Sequence, residues 1–331
     1  MHPKVSVILP VYNGERFLNE AIQSIIDQTF SDFELIIIDD ASSDSSIKII
    51  RDFQQRDVRI RLLRNEKNLG IAEATNIGIE NSIGEFIALA DQDDLNMPDR
   101  ISRQVSFLNE NPTISVVGSN TLIMLPDGSF KERREILQDQ CLIRWFMLFN
   151  NQVRNPTVMM RADIFSNSSL RYDNYMPMQD YEFWMRINLD YWFSNLPENL
   201  VIYRIHENNA SKKYQRESGK LLHVARVNMF RTYFGMEYQG EGKFNNLLQP
   251  ENTEQTKYIA EVILRWQKMS MSWKCSCNIQ QIIAKKTRQY IREIWHYQKR
   301  CVALLPFIIR AEKQLIESYM KIHKLFGIFQ N

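Results

Sequence analysis

The runs VSVILPVYNGE (residues 5–15) and SDFELIIIDDASSD (residues 31–44) decide the fold. Phe33 to Ile38 is an apolar run of strand length, as expected of a strand covered on both faces. Lys4 to Leu9 reads as a second strand. Between them, Glu15 to Gln28 places Phe17, Leu18, Ala21, Ile22, Ile25 and Ile26 on one helical face. Working outward, Ser43 to Gln54 reads as a helix opened by Ser and Asp capping residues. Arg59 to Leu63 and Glu85 to Leu89 read as strands, and Ile71 to Ser82 as a helix between them. Pro98 then sits in the first turn of a helix reaching about Glu110. Strands alternating with helices imply right-handed crossovers and an α/β fold, a mostly parallel central sheet flanked by helices. Ligands of such sheets bind beyond the carboxyl ends of the strands.

Those ends carry the polar residues. The first strand delivers Pro10-Val11-Tyr12-Asn13-Gly14, the second Asp39-Asp40, and the fourth Asp91-Gln92-Asp93-Asp94. No Gly-rich phosphate cradle follows the first strand, which disfavours a dinucleotide-binding dehydrogenase or a P-loop enzyme. An Asp-x-Asp cluster at the ligand edge suits a hard divalent cation, Mn2+ or Mg2+, that bridges to a diphosphate. Standing alone, the same spacing is also common in turns and helix caps.

Beyond residue 112 the texture changes. Thr113 to Gly118 and Asn120 to Leu125 read as strands with a turn at Pro126-Asp127-Gly128. Gln138 to Phe149 reads as a helix, and Thr157 to Arg161 and Leu200 to Arg204 as strands. From about residue 215 onward helical patterns dominate. The chain has 331 residues, 44% hydrophobic and 24% charged, with a net charge of +2. That balance excludes disorder and argues against a dedicated nucleic-acid binder. Its 4 cysteines are too few for a disulfide framework, which fits free thiols in a reducing compartment. Cys275-Ser-Cys277 lacks a second pair at zinc spacing and reads as surface or packing cysteines. No stretch is apolar enough over about 20 residues to span a membrane, and no cleavage site follows the first apolar run. The expected location is the cytoplasm.

The ordered blocks VSVILPVYNGE, SDFELIIIDDASSD, NLGIAEATNIGI (68–79) and GEFIALADQDDLNMPDR (84–100) resemble the family 2 glycosyltransferases of bacterial cell-surface polysaccharide synthesis, which have the GT-A fold. Met178-Gln179-Asp180-Tyr181-Glu182-Phe183-Trp184-Met185-Arg186 looks like the family's "ED" motif. Tyr203-Arg204-Ile205-His206-Glu207-Asn208-Asn209-Ala210-Ser211 looks like its "YRxH…S" segment. The resemblance covers residues 4 to 212 and implies a catalytic domain over 1–215, followed by a helical region over 216–331.

The resemblance also implies roles. Pro10, Val11 and Tyr12 would line a nucleobase pocket, with Asp40 accepting a hydrogen bond from the base. Asp91 would lie near the ribose, Gln92 would belong to the same nucleotide-sugar site, and Asn76 would approach the diphosphate or sugar unless it faces the buried side of its helix. Asp93, with His206, would hold the metal. Asp180 would be the general base of an inverting transfer from a nucleotide sugar to a saccharide or lipid-linked saccharide. In two places the sequence departs from the pattern: Gln179 stands where the family has Glu, and Asn155 where it often has His. The alternatives are a sugar-phosphate nucleotidyltransferase and a catalytically inert scaffold.

The charge is unevenly spread. Residues 257–331 hold 14 Lys and Arg against 4 Glu. From Ile279 to Cys301, Ile279, Ile283, Tyr290, Ile294, Tyr297 and Cys301 share one helical face, opposite Lys285, Arg288, Arg292 and Lys299. Such a helix lies on an anionic membrane surface, or packs on its own domain with a solvated basic face. A homodimer interface is the third use of these helices.

Overall fold

The computed structural model describes residues 2–133, 135–166, 170–174, 178–209, 218–237, 250 and 252–297. Contacts divide the chain into two units, Met1–Gln140 with Asn151–Tyr214, and Cys141–Asn150 with Gln215–Asn331. The segment 141–150, which the sequence reading grouped with the catalytic region, belongs to the second unit.

The first unit is built on a nine-stranded sheet. Strands β1 (Val5–Val11), β2 (Phe33–Asp39), β3 (Ile60–Arg64) and β4 (Phe86–Leu89) alternate with helices α1 (Leu18–Ile26), α2 (Ser46–Gln54) and α3 (Ile71–Glu80). These strands run parallel in the order β3-β2-β1-β4. Every residue of β2 is buried, as its apolar run requires. The helical face of α1 buries Leu18, Ala21, Ile22 and Ile25 against the sheet. A side chain at Gly78 would overlap Ile8 and Ile38, so glycine lets α3 lie close on β1 and β2.

After β4 come the two-residue β5 (Leu95–Asn96), α4 (Arg100–Glu110), β6 (Ile114–Met124) and β7 (Phe130–Glu132). Helix α5 (Gln140–Phe146), β8 (Met159–Arg161), α6 (Gln179–Ile187) and β9 (Trp192–Arg204) follow. Here the sheet turns mixed: β8 is antiparallel to β4 and β6, and β9 is parallel to β6. The two strands expected over 113–125 are one strand. The strand expected over 200–204 begins at Trp192. Pro197 had obscured its first half. It lies where the β6–β9 register shifts, between the Leu196 and Asn199 pairings, and a bulge tolerates proline.

The second unit contains α5, α7 (Ser218–Phe234), α8 (Thr253–Ser270) and α9 (Cys277–Tyr297). Trp145 and Trp266 are fully buried, and the Trp266 Nε1–H donates to Trp145 O at 3.0 Å. Cys141 is disulfide-bonded to Cys275, with Cα atoms 6.1 Å apart. The expectation of free thiols is therefore corrected for this pair. Their separation of 134 residues gave no pairing signal; helix packing within the unit brings them together. Ile283, Ile291 and Ile294 of α9 are buried, while Lys285 and Arg292 are exposed. Of the apolar stripe, Ile283 and Ile294 are thus covered, while Ile279 and Tyr290 are partly exposed. Ala210, Ser211, Lys299 and Cys301 lie outside the described residues, as does the side chain of Tyr297. No helix among the described residues is long and apolar enough to cross a membrane.

Candidate active site

The carboxyl ends of β1 and β2 are laced together by side chains that accept backbone N–H groups. Asn13 N donates to Ser42 Oγ at 3.0 Å, Gly14 N to Ser46 Oγ at 2.9 Å, and Glu15 N to Asp44 Oδ2 at 3.0 Å. In return Ser43 N donates to Asn13 Oδ1 and Ser45 N to Glu15 Oε2, each at 2.9 Å. Asn13 and Ala41 take left-handed backbone angles to make these turns, with φ of 48° and 62°. Asp44 also accepts from Ser46 N at 2.9 Å, at the start of α2. This web fixes the loop that presents Tyr12, whose ring is 46% exposed. Val11 is placed differently from the sequence reading. Its side chain is buried in the core, and its carbonyl accepts from Asp40 N at 2.8 Å.

Asp40 is buried and accepts from Asn65 Nδ2 at 2.7 Å, Leu69 N at 2.9 Å and Gly70 N at 2.8 Å. Gly70 has φ of 89°, a turn that glycine makes without strain. A carboxylate has about four lone-pair sites. Asp40 therefore shapes the 65–70 loop and keeps room for about one more donor. Asn76 is also placed differently from the nucleotide-contacting role. It is buried, its Nδ2 donates to Tyr172 O at 2.9 Å, and its Oδ1 accepts from Tyr172 N at 2.8 Å. The side chain faces the protein interior, the other use the sequence allowed it, and it anchors the 172 segment.

Beyond β4 the loop Asp91–Asp94 is tied on two sides. Gln92 Oε1 accepts from Tyr12 N at 2.9 Å and its Nε2 donates to Tyr12 O at 3.2 Å, joining this loop to the end of β1. A side chain at Gly14 would collide with Gln92, so this clasp needs the glycine. Asp94 is buried and accepts from Arg204 N at 3.0 Å, and Arg204 Nε donates to Asp93 O at 3.0 Å. The Arg204 guanidinium also reaches Glu20 at 2.6 Å and lies over the Phe17 ring. In this way the "YRxH" segment at the end of β9 grips the acidic loop. Burial, then repulsion from Asp93 and Asp180, pushes the Asp91 carboxyl up to about 7. Burial, then Asp91 and Asp93, pushes Asp94 well above the usual carboxylate range. Beneath the loop, buried Arg100 donates to Leu89 O at 2.8 Å and to Val158 O at 3.1 Å. Burial lowers this guanidinium to about 10, with Asp91 and Asp94 opposing the shift.

His206 Nε2 stands 2.7 Å from Asp93 Oδ2. Asn209, buried and not singled out by the sequence, orders this corner. Its Oδ1 accepts from His206 N at 2.7 Å and its Nδ2 donates to Arg204 O at 3.1 Å. Among the described residues no group of three or more His, Cys, Asp or Glu side chains could hold a metal ion. The pair Asp93 and His206 nevertheless fits a cation completed by substrate. It supplies one hard oxygen and one imidazole nitrogen, and Mn2+ or Mg2+ takes its other ligands from phosphates and water. A neighbouring cation would also relieve the repulsion within the acidic loop.

Asp180 opens α6. Burial raises its carboxyl above the ordinary Asp value, opposed by hydrogen bonds from the backbone of Tyr181 and Asp180 and from the Asn151 side chain. Its charge is among those that raise Asp91.

This edge gathers residues that the resemblance assigned to a nucleotide-sugar site. Residues 6–171 match the family described as Glycosyl transferase family 2. The chain belongs to this family. The family 2 chain is 34% identical over 227 residues to an uncharacterised glycosyltransferase of Haemophilus influenzae, covering 66% of this chain and 70% of that one. It is 33% identical over 211 residues to the uncharacterised glycosyltransferase MJ1057 of Methanocaldococcus jannaschii, covering 61% and 71%. Staphylococcus aureus TarS, residues 1–349 in complex with UDP-GlcNAc, superposes with a TM-score of 0.58 at 17% identity, covering 99% and 92%. The mannosyltransferase PcManGT from Pyrobaculum calidifontis, in complex with GDP-Man and Mn2+, gives 0.54 at 14% identity, covering 97% and 87%. The family 2 chain thus has the GT-A fold. Family membership removes the nucleotidyltransferase alternative.

Proposed function

We propose that this chain is a metal-dependent, inverting glycosyltransferase. It moves a sugar from a nucleoside diphosphate donor, UDP foremost, to a hydroxyl of a saccharide acceptor in cell-surface polysaccharide synthesis. The observation that carries this reading is the acidic loop Asp91–Asp94, clasped by Gln92 to the end of β1 and with Asp93 Oδ2 2.7 Å from His206 Nε2, beside which Asp180 is a raised carboxylate whose charge acts on Asp91. TarS bound to UDP-GlcNAc and PcManGT bound to GDP-Man and Mn2+ share the fold and support a nucleotide-sugar ligand.

Tyr12 offers its exposed ring to the base and Asp40 its remaining acceptor site. Asp91 meets the ribose, and Gln92 holds the Tyr12 loop against it. Asp93 and His206 would hold the cation, and a bound Mn2+ or Mg2+ supplies Lewis-acid stabilisation of charge on the departing diphosphate. Asp180 takes the proton of the acceptor hydroxyl as that oxygen bonds to the anomeric carbon. The bond from this carbon to the diphosphate oxygen breaks, and its electron pair leaves with the nucleoside diphosphate. A single displacement inverts the anomeric configuration and needs no protein nucleophile.

A lipid-linked acceptor belongs to the same proposal. With Ile283 and Ile294 of the α9 stripe buried, contact with an anionic membrane would draw on exposed Lys285 and Arg292 and would weaken with salt. Self-association of the second unit is the competing use. The test of function is a panel of UDP-, dTDP- and GDP-sugars with and without Mn2+, read by release of nucleoside diphosphate and by the anomeric signal of the product. A single donor turned over only with the cation, with inversion, is expected. Retention of configuration would remove the single-displacement step, and no turnover of any donor would favour the inert scaffold.

A further inference from the structure

The sequence names a base but not what aims it. The residue before Asp180 is the uncharged Gln179, so the adjacent position in the chain adds no charge to steer the side chain. The backbone N–H donors of Asp180 and Tyr181 belong to the first turn of its own helix. The side-chain donor comes from elsewhere: Asn151 Nδ2 lies 3.0 Å from Asp180 Oδ2. Asn151 sits outside any helix or strand, between α5 and β8. Its own amide is sorted by a second bond, because Asn151 Oδ1 accepts from Val153 N at 3.0 Å. With the carbonyl committed to that N–H, the NH2 group must face the carboxylate.

We propose that Asn151 is the positioning residue of the general base, locking the Asp180 carboxylate so that one acceptor direction faces the sugar hydroxyl. The proposal rests on reading Asp180 as the base. A carboxylate has about four lone-pair sites. Asn151 takes one of them on Oδ2, and another receives the proton of the acceptor. The backbone donors tolerate rotation about the terminal side-chain torsion, which is soft. Asn151 sets that rotation, because its donor is fixed from a separate stretch of chain. Asn151 itself exchanges no proton and touches neither donor nor acceptor.

The test uses the full chain with the donor and cation found in the panel. Asn151→Asp keeps the shape and removes the donor, and Asn151→Ser keeps a shorter donor. Each is made alone and on the Asp180→Asn background. Expected for Asn151→Asp is a fall in kcat of about 10- to 100-fold, the cost of a misaimed catalytic group. Donor KM and UDP affinity should stay within about twofold, because a loss confined to kcat marks an interaction made in the transition state. Asn151→Ser should recover part of the rate. On the Asp180→Asn background the Asn151 substitutions should change the residual rate by less than about twofold, since residues acting as one unit are not additive. Wild-type kcat in Asn151→Asp, with Asp180→Asn inactive, would overturn the positioning role alone. So would an equal loss on both backgrounds, or a loss of UDP binding, since either marks a merely structural residue. Wild-type turnover in Asp180→Asn would overturn the base reading beneath it.

Discussion

Two acidic loops leave the same edge of the sheet, and their carboxylates live in opposite environments. At the end of β2, Asp40 and Asp44 are met by backbone and amide N–H donors. The Asp44 carboxyl lies below its ordinary value: hydrogen bonds from Ser46 and Glu15 outweigh the effect of burial, which acts the other way. At the end of β4, buried Asp94 and half-buried Asp91 lie close to one another and to Asp93, and are pushed up. Acidic side chains next to a strand end therefore serve two ends. Those filled with donors shape the loop, and those left in mutual repulsion are the ones that the proposed cation and ligand would relieve.

The sharpest way to break this comparison is Asp93→Ala. Transfer should fall by about 10³-fold or more, since the charge on the leaving diphosphate loses its metal. Thermal-shift titration of UDP with Mn2+ should show the same loss in binding. Asp180→Asn should lower kcat by about 10²- to 10⁴-fold while leaving that binding intact. The base must be ionised to act, so wild-type kcat should be lost as pH falls through a raised pKa. The acid limb should thus lie above the usual Asp value of about 3.9, and a limb at or below that value would contradict the buried environment.

The donor-filled loop should answer in stability instead. Asp40→Ala leaves the Leu69 and Gly70 N–H groups and the Asn65 amide without their acceptor. It should cost about 1–3 kcal/mol, read by urea denaturation. Asp91→Asn should do the reverse, raising Tm by a few degrees in chelator. The sign follows from its pKa, which rises from 3.8 to about 7 on folding. The folded form then binds the extra proton between those values, so stability falls as pH rises through that window and is lower at neutral pH. Removing the charge restores it, at a cost in donor binding. An unchanged or lowered Tm would mean that the acidic loop is not strained.

The parallel half of the sheet was legible because Phe33 to Ile38 and the face of α1 carry strong apolar patterns. The downstream half was less so. The early part of β9 hides behind Pro197 and behind Ser194 and Asn195. Those two are buried polar residues whose side chains donate to Gln138 O and Leu137 O. β5 is two residues long, too short for any period. Asp93, His206 and Asp180 were singled out from motifs, and the approach of His206 to Asp93 follows from where β9 ends. For Val11 and Asn76 the motif marks a position and not the direction of the side chain, and both side chains are buried. Asn151, Asn209 and Arg204 act through hydrogen bonds to irregular chain, which leave no periodic trace. The same holds for Cys141 and Cys275, whose pairing depends on helix packing.

The most direct test measures UDP affinity with Mn2+ and sugar transfer together on wild type, Asp93→Ala and Asp180→Asn. The predicted result separates the two carboxylates: Asp93→Ala loses binding and transfer, and Asp180→Asn loses transfer alone. Near wild-type transfer in Asp180→Asn, or full Mn2+-dependent binding in Asp93→Ala, would contradict the account.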